Sequence, residues 1–364
     1  MLILVLVIFI VIIGVMIFMN GPQFGKIPSG AQLEKIQASP HYRDGKFQNI
    51  SFTPNLKEGV SYFTVMRKFF FGKSKRSKPS IALPSVKTDL HALSPEKNVI
   101  VWFGHSSYFL QIDGKKILVD PVFSGHASPV NFTTKSFEGT DIYTPDDIPV
   151  IDYLFISHDH WDHLDYRTVI KLKPKIKKII TGLGVAPHFD RWGFDKNNII
   201  ETDWNDEVKP EPGFTVNINS GRHFSGRGFK RDQSLWLSFI LSTPTMKIFL
   251  GGDSGYDTHF ASIGEKFGPF DLAILECGQY NEYWHYIHMM PEEVVAAAED
   301  LKAKKFIPVH WGKFSLSLHS WDEPITRVTE ESKRKNISVI TPMIGETVDL
   351  NGNYVSKEWW KGIE

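Results

Sequence analysis

Six residues near the middle of the chain, His158-Asp159-His160-Trp161-Asp162-His163, place four candidate metal ligands, His158, His160, Asp162 and His163, in one short segment. They follow the apolar run Tyr153-Leu154-Phe155-Ile156-Ser157, which reads as a strand, so the segment falls where a sheet gives way to a loop. With one residue between them, the imidazoles of His158 and His160 can point the same way, while Asp162 and His163 turn toward a second ion. Neutral imidazole combined with carboxylate suits zinc or a similar borderline divalent metal. A solvated loop rich in His and Asp is the plainer alternative.

Two ions need more ligands than this segment holds, and the rest of the chain supplies candidates at the ends of further strand-like runs. Phe214–Ser220 runs into Gly221-Arg222-His223, Met246–Gly252 into Asp253, Lys305–Val309 into His310, and Lys116–Val119 into Asp120-Pro121. Each run is short, apolar and stopped by Gly or Pro, with one metal-capable side chain at its C-terminal edge. A sheet whose strand ends meet on one rim would gather them all.

The ordered set Asp120, His158-x-His160-x-Asp162-His163, His223, Asp253 and His310 resembles the metallo-β-lactamase superfamily. The resemblance implies an α/β fold, an αββα sandwich with two β-sheets inside and helices outside. It implies one zinc on His158, His160 and His223, a second on Asp162, His163 and His310, and Asp253 bridging them. Asp120 would support the site by hydrogen bonding. Several surrounding words are similar to the N-acylphosphatidylethanolamine-hydrolysing phospholipase D branch: Trp102-Phe-Gly-His-Ser106, Val119-Asp-Pro-Val-Phe-Ser124, Gly251-Gly-Asp-Ser-Gly-Tyr256, Phe267-Gly-Pro-Phe-Asp-Leu-Ala273 and Pro308-Val-His-Trp-Gly-Lys-Phe314. The similarity spans residues 95 to 350, whereas Gln279–Tyr283 and His285–Met290 follow that branch only loosely.

That branch implies hydrolysis of a phospholipid diester to N-acylethanolamine and phosphatidic acid. Paired divalent ions can lower the pKa of a shared water and neutralise an anionic phosphoryl group. Asp162, Asp253 or metal-bound water could move protons, and the sequence does not choose among them. His288 stands where the branch has an active-site histidine, for phosphate contact or proton donation. His105, outside the ligand set, is expected to make structural hydrogen bonds; Arg222 and Arg227, flanking His223, are either phosphate ligands or surface charges. A lactonase or other small-molecule hydrolase on the same centre is the alternative reading, and a non-catalytic membrane scaffold is an alternative of another class. Redox chemistry is disfavoured because di-iron members carry glutamate where this chain has His160, and no flavin-binding domain follows.

The elements that must position these groups fit one catalytic domain, since any cut between residues 120 and 310 would split the site. The expected division is an anchor over 1–20, a basic and irregular lead-in over 21–94, and a hydrolase domain over 95–364. Asp165 is expected to cap a helix running to Lys173 before Pro174, and Pro291-Glu292-Glu293 to open another through Ala303. The single cysteine, Cys277, excludes an intramolecular disulfide and reads as core packing.

Leu2 through Met19 is uninterrupted apolar sequence, enough helix to cross about 27 Å of hydrocarbon. No basic residue precedes it and no small-x-small site ends it, so a single-pass membrane anchor is expected rather than a cleaved signal peptide. Residues 21–78 then hold eleven Lys or Arg against three acids, which favours a cytoplasmic catalytic domain at the cell membrane. The cluster Arg67-Lys68-Phe69-Phe70-Phe71-Gly72-Lys73-Ser74-Lys75-Arg76 mixes cations with aromatics, as a surface resting on anionic headgroups would; a soluble basic linker is the equal alternative. Zero formal net charge gives no global attraction to nucleic acid, and oligomeric state is not legible.

Overall fold

The computed structural model describes residues 1–364. Its helices are α1 (Leu2–Met19), α2 (Ala31–Gln37), α3 (Tyr62–Phe71), α4 (Tyr166–Leu172), α5 (Ala186–Arg191), α6 (His259–Phe267), α7 (Pro291–Asp300) and α8 (Glu323–Lys335). Two sheets face one another. The first has seven strands in the spatial order Thr347–Asp349, Val99–Trp102, Tyr108–Ile112, Lys115–Val119, Ile151–Ile156, Ile176–Gly182, Ile199–Thr202. The second has six, in the order Phe306–Val309, Leu272–Glu276, Lys247–Leu250, Leu237–Ser242, Phe214–Ser220, Glu207–Glu211.

Apolar residues on both faces of the first sheet explain its place between layers. Successive side chains alternate across a strand, so Ile100, Trp102, Leu110, Ile117, Val119 and Phe155 enter the core between the sheets. Their neighbours Val101, Phe109, Leu118, Leu154 and Ile156 go the other way, into a second cluster with Val169 and Leu172 of α4 and Phe189 of α5. Val294, Val295 and Ala298 of α7 and Ile325 and Val328 of α8 cover the second sheet. The result is the αββα sandwich that the sequence implies.

Strand direction explains why the strand ends meet. Lys115–Val119 and Ile151–Ile156 pair in parallel, as do Lys247–Leu250, Leu272–Glu276 and Phe306–Val309. Phe214–Ser220 is antiparallel to a strand that is itself antiparallel to Lys247–Leu250, so its C-terminal end reaches the same side. Leu237 N donates to Ser157 O at 3.0 Å and joins the sheets at that rim.

The caps follow the sequence closely. Asp165 accepts from Arg167 N and starts α4, which ends at Leu172 before a 3-10 turn containing Pro174; α7 begins at Pro291 and ends at Asp300. The lead-in does not remain irregular. It folds α2, the short hairpin Tyr42–Arg43 with Lys46–Phe47, and α3, and it is tied to the sandwich at several points. Phe47 is buried in the main core, Asn49 Nδ2 donates to His223 O at 2.7 Å, and Leu83 N donates to Glu138 O at 2.8 Å. A segment that returns to the domain in this way is difficult to read from local pattern, because its partners lie far away in the chain.

Candidate metal centre

All the expected ligands collect on the rim. His158, His160 and His223 bring one nitrogen each within 4.8 Å of one another; so do ligand atoms of His105, Asp162, His163 and His310, and of His158, His163 and Asp253. Nε2 of His158 lies 2.8 Å and Nε2 of His223 3.2 Å from Nδ1 of His160, so three imidazole nitrogens share one point. Beside them, Nε2 of His163 is 3.2 Å from an Asp253 oxygen and 3.6 Å from an Asp162 oxygen. Asp253 also lies 3.3 Å from His310, which places its carboxylate between the two groups.

Neighbouring groups fix the ring orientations. Asp120 accepts from Ser157 N at 2.8 Å and from His163 Nδ1 at 2.8 Å, leaving Nε2 of His163 to face the cluster. His223 Nδ1 donates to Ile287 O at 2.9 Å, which likewise frees Nε2. His105 is buried and its Nε2 bonds Asp162 at 2.8 Å, a structural role for a residue that also stands close to the second group of ligands. Gly252 (φ +60°) makes the turn into Asp253, where a Cβ would lie 2.5 Å from Leu237 O.

Burial holds the His158, His223 and His310 imidazoles well below their ordinary pKa, and it lowers His160 to about 4. These rings are therefore neutral and have lone pairs to give. His163 goes the opposite way: burial opposes its charge, but Asp253, Asp162 and Asp120 outweigh burial and raise it. Nε2 of His163 and Oδ1 of Asp253 are buried with no hydrogen-bond partner. Buried polar atoms normally have one, so this donor set fits divalent metal.

His288 lines the same cleft, its ring 5.0 Å from that of His223 and stacked at 5.2 Å on that of His310. Its Nδ1 faces Oε2 of the buried Glu276 at 3.5 Å. Burial pushes Glu276 up to about 7. Burial opposes charge on His288, and the carboxylates of Glu276, Asp253 and Asp162 outweigh it and raise its pKa. The pair thus keeps a proton near neutrality. Glu276 is not among the residues expected at the site, although it obeys the same rule as the others, a chemistry-bearing side chain at the C-terminal end of an apolar strand.

The flanking arginines are neither phosphate ligands nor free surface charges. Arg222 donates to Thr53 Oγ1, Phe52 O and Tyr256 O, and buried Arg227 to the carbonyls of Gln23, Asp159 and Leu164. His319 is packed, accepting from Gln279 N at 3.0 Å, and Cys277 is buried.

A family profile described as a beta-lactamase superfamily domain matches residues 115–311, more than half of the chain and the whole span of the clustered ligands from Asp120 to His310. The chain belongs to the beta-lactamase superfamily. An uncharacterized protein of Mycobacterium tuberculosis is 35% identical over 91% of both chains. This superfamily member is also 29% identical to N-acyl-phosphatidylethanolamine-hydrolyzing phospholipase D 1 of Caenorhabditis elegans, over 72% of this chain and 82% of that one. Among solved structures, a metallo hydrolase from Ignicoccus hospitalis superposes with a TM-score of 0.52 at 20% identity, covering 69% of this chain and 97% of that one. The superfamily fold and its His and Asp cluster make this chain a metal-dependent hydrolase.

Proposed function

We propose that this hydrolase is a membrane-anchored, two-zinc phosphodiesterase of the phospholipase D type. It would cleave N-acylphosphatidylethanolamine to N-acylethanolamine and phosphatidic acid at the cytoplasmic side of the cell membrane. The observation that carries the reading is the make-up of the cleft. Its metal-capable groups form one wall, and Leu56, Tyr62, Val65, Trp284, Ile287 and Leu316 form an apolar approach around a volume of about 380 Å³. A lipid needs both, a polar centre for its diester and an apolar path for its chains. The phospholipase D relative and the apolar helix α1, long enough to cross a bilayer, support the same substrate class.

One ion would sit on His158, His160 and His223 and the other on Asp162, His163 and His310, with Asp253 between them. Bound metal supplies a nucleophile from water at neutral pH and neutralises phosphoryl charge. Asp162 and Asp253, whose side chains line the cleft, would be the carboxylates able to orient such a water or take its proton. His288 holds a proton backed by Glu276 and passes it to the oxygen of the departing ethanolamine group.

The test incubates a membrane extract with the full chain and with His160→Ala, then measures lipids by mass spectrometry. Loss of N-acylphosphatidylethanolamine and gain of both products, with wild type only, is expected. In ¹⁸O water the label should enter phosphatidic acid; label in the N-acylethanolamine instead, or turnover of lactones alone, would refute the reading.

A further inference from the structure

Three arginines follow closely on one another, Arg222, Arg227 and Arg231, and the structure treats the last differently. The first two are consumed by the fold, as described above. Arg231 is exposed and lines the cleft beside His160, Asp162, Asp253 and His288, and it is the one Lys or Arg among the 16 residues that do so. Its guanidinium makes no ion pair and no hydrogen bond; it lies 5.0 Å from the ring centre of Phe224, which packs in turn on His160 at 4.4 Å and on His223 at 4.7 Å. The adjacent Asp232 does not claim it, since the Asp232 carboxylate accepts from Ser225 N at 3.3 Å.

The backbone beneath Arg231 is held in place. Asp232 N donates to Ser225 O at 3.1 Å, Phe47 N donates to Asp232 O at 2.9 Å, and Gly226 N donates to Oδ1 of Asp159, between two metal-capable histidines, at 2.7 Å. Gly226 has φ +134°, and a Cβ there would stand 3.2 Å from the Cα of Arg231. So the return limb of this loop closes on a glycine tied to the metal-binding segment, and the arginine side chain alone is left free. A fixed base, an aromatic face to lie on and an unpaired planar cation at the cleft are the parts of an anion site.

We propose that Arg231 is the anion-recognition residue of the cleft, pairing with a non-bridging phosphoryl oxygen of the substrate and so favouring phosphodiesters over neutral esters or lactones. The inference rests on the phosphodiesterase reading and sharpens it. In the reaction, water oxygen bonds to phosphorus, the bond from phosphorus to the ethanolamine oxygen breaks, and that oxygen takes a proton. The phosphate monoester left behind carries more negative charge than the diester, so a guanidinium placed there binds the product side at least as well as the substrate side.

The test uses the metal-loaded full chain in detergent, with Arg231→Ala, Arg231→Lys and Gly226→Ala. Binding of inorganic phosphate is followed by ³¹P line broadening, and kcat/KM is compared for bis(p-nitrophenyl) phosphate and the neutral p-nitrophenyl acetate. Arg231→Ala should weaken phosphate binding about 10- to 100-fold and lower the diester-to-acetate ratio by a similar factor. Metal content should stay at the wild-type level. Arg231→Lys should recover part of the loss, because it restores charge without the planar fork, and Gly226→Ala should imitate Arg231→Ala more weakly. Unchanged phosphate affinity in Arg231→Ala, or a ratio that does not move, overturns the assignment. Phosphate binding that depends on Arg231 in a protein unable to cleave any diester would sink the phosphodiesterase reading and leave the anion site standing. Diester cleavage indifferent to Arg231 would do the reverse.

Discussion

At the residue scale the site is a set of buried groups that satisfy one another poorly until a cation joins them. Replacing Asp253, the carboxylate shared by both groups of ligands, should lower metal content at both positions, whereas His310→Ala should lower it at one; elemental analysis of protein purified without chelator reads the difference. His288→Ala should slow turnover about 100- to 10,000-fold with metal content unchanged, the range for loss of a general acid. The Glu276 and His288 pair also sets a pH signature in metal-free protein. Both pKa values are raised on folding, Glu276 from 4.5 to about 7 and His288 above 6.5. The folded state therefore binds more protons than the unfolded one, and their stabilisation, complete below about pH 4.5, is lost as pH rises through 7. The depressed His158, His160, His223 and His310 tilt the overall profile the other way, so the pair's share is read as the difference in denaturant midpoint between metal-free wild type and Glu276→Gln, which should fall as pH rises across that range.

The clustered His and Asp residues were legible in the sequence because spacing and strand ends are local features. Asp120 was legible as a supporting group for the same reason. The mate of His288 was not, since Glu276 faces it only after a strand, a loop and a turn have folded together. The same limit hid the contrast among the arginines. Arg222 and Arg227 stand nearer His223 in the chain than Arg231 does, but sequence proximity says nothing of which donors the backbone will occupy.

At the scale of elements, the structure ties the residues that follow α1 to the segment from His158 to His163. Arg191 donates to Gly25 O at 2.7 Å and also to Asn20 O, Trp192 Nε1 donates to Pro22 O at 2.7 Å, and Lys26 N donates to Nδ1 of His188 at 3.0 Å. Nε2 of His188 meets Asp159 at 3.1 Å, and Phe24 packs edge-on against Trp161 at 5.2 Å. Arg227 closes the arrangement, bonding Gln23 on one side and Asp159 and Leu164 on the other, with Trp161 under its guanidinium at 4.0 Å. Arg227→Ala would leave these buried carbonyls without a donor, at a cost of about 3 kcal/mol or more, and should lower the thermal midpoint and the metal content together. Removing residues 1–19 should spare metal content, and removing 1–28 should reduce it. Residues 21–94 read as a basic lead-in because their Gly and Pro break periodicity; their role as a strap over the sandwich resides in long-range backbone bonds that periodicity does not report.

On the scale of the whole molecule, two separate surfaces bear on the proposed attachment to a bilayer. Every residue of α1 up to Phe18 is exposed, in a helix without a polar face, and such a helix is stable only in apolar surroundings. On α3, Phe63, Met66, Phe70 and Phe71 are exposed alongside Arg67, with Lys68 half-buried, while Tyr62 and Val65 of the same helix line the metal cleft. One short helix thus borders the cleft and presents aromatics and cations outward, the pattern of an interfacial helix. If both surfaces engage the membrane, they should separate by their response to salt. The full chain should stay in the membrane pellet at high ionic strength, since burial of α1 in hydrocarbon is not screened. A chain lacking residues 1–19 should bind vesicles containing anionic lipid at low salt and leave them as salt rises, because the remaining attraction is electrostatic and the Debye length shrinks from about 10 Å at 0.1 M to about 3 Å at 1 M. Phe70→Ser with Phe71→Ser in the truncated chain should weaken that residual binding without changing metal content. Full-length protein found wholly in the soluble fraction would refute the anchor, and truncated protein that ignores anionic vesicles at low salt would refute the role of α3.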